Sequence, residues 1–236
     1  MVCVLPPVTK LKRIALDLLF PRWCISCGRE GDYICCDCSK LLSMLAPPVC
    51  PKCGRPQHNG LLCSDCTDKH TDIDGIRSPF IFEGVIRQAI HNLKYHNIRA
   101  LAESLAVFLN NYIVDNPIPS EVLVPVPLHK KRLRERGYNQ SSLLAKELSK
   151  LCGLPVISDS LVRYRYTSTQ VRSANIDERL ENVTGAFMCI DNSLRNKRVL
   201  LIDDVATSGT TLNTCASTIK STGALSVWGL TVALEI

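Results

Sequence analysis

The residues best suited to chemistry in this sequence fall in one stretch, 199–211, which reads Val-Leu-Leu-Ile-Asp-Asp-Val-Ala-Thr-Ser-Gly-Thr-Thr. Its first four residues form a continuous apolar run of the kind found in a central parallel strand, buried on both faces. Asp203 and Asp204 follow at the C-terminal end of that run, the edge of an open α/β sheet where ligands bind. Ala206, Thr207, Ser208, Gly209, Thr210 and Thr211 then supply hydroxyls and backbone N–H groups at the start of a helix predicted over 212–221, with Gly223 as its cap. Such a turn can wrap a phosphate at a helix N-terminus. Two carboxylates repel a phosphate, so the acids need another target. A ribose 5-phosphate supplies one: its diol donates hydrogen bonds to the acids while the loop holds the phosphate.

A second chemistry lies at the other end of the chain. The sequence has 13 cysteines, and most precede residue 67. Eight of them form four Cys-x-x-Cys pairs: Cys24/Cys27, Cys35/Cys38, Cys50/Cys53 and Cys63/Cys66. Cys24-x-x-Cys27-Gly28-Arg29 recurs as Cys50-x-x-Cys53-Gly54-Arg55, an internal repeat. Cys-x-x-Cys-Gly is a zinc knuckle, in which a tight turn aims two thiolates at one ion and the glycine permits the backbone geometry. Two knuckles complete a tetrahedral four-cysteine site. The consecutive reading gives Cys24/Cys27/Cys35/Cys38 and Cys50/Cys53/Cys63/Cys66; spacing leaves open an interleaved pairing of the first and third knuckles. Four thiolates leave no position for water, so these sites are read as structural. Cys36 is a spare thiol with poorer spacing to Cys38. Cys152, Cys189 and Cys215 are isolated and read as core residues.

The remaining elements must position these two centres. At 236 residues, 46% hydrophobic and 21% charged, the chain has the balance of a globular protein with one ordinary domain and a small appendage. The net charge of +6 permits an anionic ligand without demanding one. No apolar run approaches the roughly 20 residues of a membrane span, and with thiols in metal spacing and no export signal the expected compartment is the cytoplasm. The predicted organisation is an N-terminal helix within 1–22, a double zinc ribbon over 23–70 and an α/β domain over 76–236. Within the α/β domain, strands are predicted over 76–82, 121–127, 161–166, 185–190 and 225–234, and helices over 84–96 and 99–114. Arg87, His91 and Lys94 share one helical face. A basic loop carrying Lys130, Lys131, Arg132, Arg134 and Arg136 follows a predicted strand, and a helix running to about residue 151 opens after it. The polar stretch 167–182, with Thr169, Gln170, Arg172, Arg179 and Asn182, has no apolar periodicity and reads as a mobile loop.

These pieces together resemble the ComF family: a double zinc ribbon, then Leu93-Lys94-Tyr95, Val124-Pro125-Val126-Pro127 with Arg132, Arg136-Gly137-Tyr138-Asn139-Gln140, Thr169-Gln170, Arg179, Asn182, Gly185-Ala186-Phe187, and the 199–211 motif. That motif resembles the phosphoribosyl-pyrophosphate (PRPP) motif of type I phosphoribosyltransferases. The resemblance implies a type I phosphoribosyltransferase fold, a central parallel sheet flanked by helices. It also implies PRPP bound with Mg²⁺, Asp203 and Asp204 on the ribose hydroxyls, residues 206–211 on the 5′-phosphate, Lys130–Arg136 near pyrophosphate and the 167–182 loop closing over the ligand. Some purine enzymes of this fold carry an Asp, acting on the base, where Thr207 stands, so the acceptor is left unidentified. A role in natural transformation and the handling of incoming single-stranded DNA is also implied. Two alternatives to an enzyme follow: a DNA-binding module using the Lys130–Arg136 run, with Tyr95, Tyr138, Tyr164 and Tyr166 as stacking residues, and a scaffold whose zinc module docks a helicase-like partner.

Overall fold

A computed structural model describes residues 21–68, 71–165 and 185–236. The expected N-terminal helix and the segment carrying Thr169, Gln170, Arg172, Arg179 and Asn182 lie outside the described residues. The chain builds a parallel sheet from β1 (Gly75–Arg77), β2 (Phe80–Ile81), β3 (Val122–Pro125), β6 (Arg198–Ala206) and β7 (Ser226–Leu234). Its order is β1-β7-β6-β3, with β2 paired to the far end of β7. A separate antiparallel pair is formed by β4 (Leu161–Arg163) and β5 (Phe187–Cys189).

β6 is central because its side chains have two apolar layers to fill. Val199, Leu200, Leu201 and Ile202 are all fully buried. Side chains alternate along a strand. Leu200 and Ile202 join the cluster built by helices α3 (Gly84–Tyr95), α4 (Leu101–Asp115) and α6 (Gln140–Cys152). Val199 and Leu201 join the cluster of helix α7 (Thr210–Ser221) on the opposite face. Helix α3 contributes Val85, Ile86, Ala89, Ile90 and Leu93 as one apolar stripe, which leaves Lys94 at its last turn, close to the sheet's C-terminal edge.

The single strand expected over 76–82 is two short ones. Pro79 has no N–H to give a ladder, and the Ser78 hydroxyl bonds to the Thr231 hydroxyl of β7 at 2.6 Å. β1 pairs Gly75 with Trp228, and pairing resumes at Phe80 opposite Ala233.

The cysteine-rich segment is stitched along this edge. The Ile76 N–H donates to the Lys52 carbonyl at 2.7 Å, the Leu45 N–H to Pro79 at 2.9 Å and the Ile81 N–H to Ser43 at 2.8 Å. The Arg77 guanidinium donates to the Pro51 carbonyl at 2.9 Å and lies 5.0 Å from the Trp228 ring centre. Gly75 makes this junction possible. A Cβ there would sit 2.4 Å from Trp228 and 2.8 Å from the Pro51 carbonyl oxygen, and backbone cannot yield as a flexible side chain can. Gly75→Ala is therefore expected to lower stability by about 1–3 kcal/mol, the usual cost of overpacking. Urea unfolding checks this, with an unchanged midpoint as the contrary result.

Candidate phosphate site and cysteine centres

Asp203 and Asp204 stand inside β6, not beyond its end, because the strand runs on to Ala206 and pairs Asp203 with Thr231 and Ala206 with Leu234. Their environments differ. Asp204 is buried, and its Oδ1 lies 2.7 Å from the ammonium of Lys94, which reaches in from the end of α3. The other oxygen, Oδ2, is buried with no hydrogen-bond partner among the described residues. Asp203 is half-buried, and its Oδ1 accepts from the Ser141 hydroxyl at 2.7 Å and from the Asp204 N–H at 2.9 Å. Burial and the neighbouring Asp204 carboxylate push the Asp203 carboxyl up to about 7, against the opposing pull of Ser141 and Lys94. Ser141 is placed by the start of α6, where the Asn139 side chain accepts from the Ser141 N–H at 3.0 Å and donates to the Val126 carbonyl at 2.9 Å.

The loop after β6 opens α7 directly. Gly209 adopts the left-handed conformation, φ 73°, at the N-cap of α7. Thr207 and Ser208 are exposed, and the Ser208 and Thr210 hydroxyls lie 2.8 Å apart. The first-turn N–H groups of this 12-residue helix point beyond its own ladder. Helix α7 starts at Thr210, two residues before the expected position, so Thr210 and Thr211 belong to its first turn.

The basic run is a helix, α5 (Lys130–Arg136), where a loop was expected. Lys and Arg are good helix formers. The His129 imidazole accepts from the Lys131 N–H at 3.2 Å at the start, and Gly137 ends the helix at φ 78°. Lys130, Lys131 and Arg134 are exposed. Arg132 and Arg136 line a basin of about 600 Å³ with Lys94, Tyr95, Asn97, Glu135 and Tyr138. Lys94 thus joins the basin to the acid pair. The Tyr138 hydroxyl donates to the Leu93 carbonyl and is buried, so Tyr138 packs the end of α3. Tyr95 and Tyr164 are exposed. Sequence reasoning missed Ser141 as a partner of the acids and placed Lys94 only on a basic face. The Leu93-Lys94-Tyr95 motif was the available signal.

The cysteines assemble consecutively. The sulfurs of Cys24, Cys27, Cys35 and Cys38 lie within 4.8 Å of one another, as do those of Cys50, Cys53, Cys63 and Cys66. Cys36 is exposed and stands outside the first group. Cys27 and Cys35 are 3.6 Å apart at sulfur, as are Cys53 and Cys63. Two thiolates on one tetrahedral zinc, each at about 2.3 Å, sit roughly 3.8 Å apart, so both groups fit that ion. Burial raises the Cys24 thiol, but backbone N–H groups of Cys35, Cys27 and Ser26 outweigh it and bring it to about 6. Burial also opposes ionisation of Cys50, and the N–H groups of Cys53, Cys63 and Lys52 likewise bring it to about 6. The repeat extends to ion pairs: Arg29 meets Asp37 at 2.5 Å, and Arg55 meets Asp65 at 2.6 Å. Each pair ties a first knuckle to its second.

The two centres together define a phosphoribosyltransferase-type domain carrying an N-terminal double zinc ribbon. Residues 15–67 match the double zinc ribbon domain, and residues 136–233 match the phosphoribosyl transferase domain. The chain is 30% identical to competence protein ComFC of Bacillus subtilis, covering 83% of this chain and 81% of that one. It is 29% identical to competence protein F of Haemophilus influenzae, covering 88% and 95%. It is also 29% identical to DNA utilization protein YhgH of Salmonella typhi, covering 82% and 87%. The chain belongs to the ComF family. No helix among the described residues is long and apolar enough to cross a membrane.

The raised Asp203 carboxyl has a consequence for stability. The folded protein holds a proton there up to about pH 7, whereas an unfolded aspartate releases it near the ordinary value of 3.8. The folded state binds more protons across that interval, so this residue's contribution falls as pH rises from about 4 to 7. Asp203→Asn removes the titration. Its melting temperature is expected to exceed the wild type's by a few degrees at pH 8 and to converge with it near pH 4. Scanning calorimetry across that range checks this; a variant less stable than wild type at pH 8 is the opposite result.

Proposed function

We propose that this protein binds PRPP with Mg²⁺ and uses it in handling DNA that has entered the cytoplasm. The carrying observation is the spacing of β6 and α7: the strand carries a carboxylate pair just before its last two residues, and three residues past Ala206 the left-handed Gly209 opens a helix at the same sheet edge. A ribose 5-phosphate fits that arrangement, with its hydroxyls on Asp203 and Asp204 and its 5′-phosphate on Ala206, Thr207, Ser208, Gly209, Thr210 and Thr211. The orphaned Asp204 Oδ2 and the raised Asp203 carboxyl both suit a ligand that brings hydrogen-bond donors. Mg²⁺ bound with PRPP would lie beside Asp203 and Asp204 and would neutralise charge on the pyrophosphate.

The reaction we infer is ribosyl transfer from PRPP to an acceptor with displacement of pyrophosphate. Positive charge grows at the anomeric carbon as the leaving group departs. The two carboxylates favour that charge electrostatically. Arg132 and Arg136, lining the basin joined to the site through Lys94, stand where they can hold the departing pyrophosphate. Thr207 occupies the position of the purine enzymes' base-directed acid, which argues for an acceptor recognised in another way.

The names of the relatives, competence and DNA utilization proteins, support a role with DNA. A second, compatible reading rests on α5: its exposed Lys130, Lys131 and Arg134 suit the backbone of single-stranded DNA. Docking of a helicase-like partner on the zinc module extends this reading to a scaffold.

Calorimetry is expected to show Mg²⁺-dependent PRPP binding that weakens about 10- to 100-fold in the Asp203→Asn/Asp204→Asn double variant, the scale of lost charge-assisted hydrogen bonds. Absence of binding to the wild-type protein refutes the reading. For DNA, each phosphate contact adds about 0.7 to the slope of log affinity against log salt. The Lys130→Ala/Lys131→Ala/Arg134→Ala variant is therefore expected to lose about 2 from the slope on a single-stranded oligonucleotide. An unchanged slope moves the DNA surface elsewhere.

A further inference from the structure

We propose that the second cysteine site positions the phosphate loop through Ile76, so that zinc at Cys50/Cys53/Cys63/Cys66 and a ribose 5-phosphate ligand bind with positive cooperativity. This rests on the PRPP reading above and adds to it a partner for the loop.

The connection is short and made of close contacts. Lys52 lies within the knuckle, between Cys50 and Cys53. Its carbonyl accepts from the Ile76 N–H at 2.7 Å, and its ammonium donates to the Ile73 carbonyl at 3.0 Å. Gly54, the knuckle glycine, comes so near β1 that a Cβ on it would meet the Ile76 carbonyl oxygen at 2.7 Å. The knuckle therefore fixes Ile76 through both its N–H and its carbonyl side. The buried Ile76 side chain in turn presses on the loop: its Cδ1 is 2.9 Å from where a Cβ of Gly209 would stand. The residues just before β1 grip α7 a turn later, where the Asn213 side-chain oxygen accepts from the Asp72 and Ile73 N–H groups at 2.8 and 3.2 Å. One cleft of about 310 Å³ has Lys52, Cys53 and Cys66 on one wall and Ser208, Gly209, Thr210 and Asn213 on the other.

Among the described residues the first cysteine site makes no such connection, and its equivalent glycine, Gly28, has nothing within 4 Å of a Cβ position. Cys24, Cys35 and Cys38 belong to the buried cluster of α3, α4 and α6, on the opposite face of the sheet from α7. Two ribbons of one repeat thus serve different faces, and among the described residues only the second adjoins the loop.

The coupling follows from ordering. Zinc gathers four thiolates and sets the turn that carries the Lys52 carbonyl. With that turn set, Ile76 and Gly209 have one arrangement, and a phosphate ligand meets a loop already formed. Without it, the ligand must order the loop at its own cost in affinity. Linkage requires the reverse effect with the same factor: the ligand tightens zinc at this site.

The test uses the full-length zinc-loaded protein and a colorimetric chelator, with and without Mg²⁺ and PRPP. Saturating PRPP is expected to slow release of one of the two zinc ions about tenfold, within the usual range of allosteric coupling, and to leave the other unchanged. The protected ion should be absent from Cys63→Ser and present in Cys35→Ser. Ile76→Ala should keep both ions, lose the protection and bind PRPP about tenfold more weakly, and Ile76→Val should restore most of both effects. A residue that only filled the core would change the melting temperature without uncoupling ligand from metal. PRPP binding seen by calorimetry with neither ion protected overturns the coupling alone, as does protection that survives in Ile76→Ala. No PRPP binding at all overturns the underlying reading, and the coupling with it.

Discussion

Two consecutive carboxylates on a buried central strand are the constraint on which the rest of this structure depends. Val199 to Ile202 are fully buried, and the next two residues inherit that depth as acids. Two helix ends from the same layer of the fold meet them. Asp204 is met by Lys94 from the end of α3, and Asp203 by Ser141 from the start of α6. Each contact fixes where a helix must end or begin. Tyr138 then locks those two ends together by donating to the Leu93 carbonyl. The apolar stripes of α3 and α6 set how these helices pack; the acids set how far along the sheet they reach.

The compensation is deliberately incomplete in chemical terms. One Lys and one Ser do not supply all the donors that two carboxylates accept, and an unpaired buried oxygen is costly. Asp204 keeps an oxygen with no partner among the described residues, and the Asp203 carboxyl is pushed up to about 7. A sequence selected only for stability has a simple remedy, since an amide or an apolar residue at either position removes the repulsion. Retaining both acids at a sheet edge, beside a helix opening, is the stability–activity trade expected of a binding site.

Much of this was legible in the sequence, for reasons that are local. The β6 run, the acids and the small-residue turn lie within 13 consecutive residues, and the Cys-x-x-Cys repeat lies within a few dozen. Local chemistry fixes local structure in both. What was not legible depends on distance in sequence. The Lys94–Asp204 pair spans more than a hundred residues, and no periodicity in α3 distinguishes a solvated lysine from one that reaches a buried acid. The basic run 130–136 reads as a loop by charge alone, whereas its caps at His129 and Gly137 decide for a helix. Pro79 was a visible sign that 76–82 would break, and the Ser78–Thr231 contact explains how the break is accommodated.

The pairing of the cysteines was open on spacing and is closed by the repeat's own details. An Arg after each knuckle glycine needs an acid, and the acids stand between the cysteines' second pairs, Asp37 before Cys38 and Asp65 before Cys66. The Arg29–Asp37 and Arg55–Asp65 contacts can both form only if each first knuckle faces the second knuckle next to it in the chain. Interleaving the first and third knuckles would gather both Arg residues at one metal and both acids at the other. The consecutive arrangement also leaves the ribbons free to diverge in what they touch. Among the described residues Gly28 has nothing close to it while Gly54 lies against the backbone of β1, so two copies of one motif came to pack on the cluster of α3, α4 and α6 in one case and to brace the sheet edge in the other.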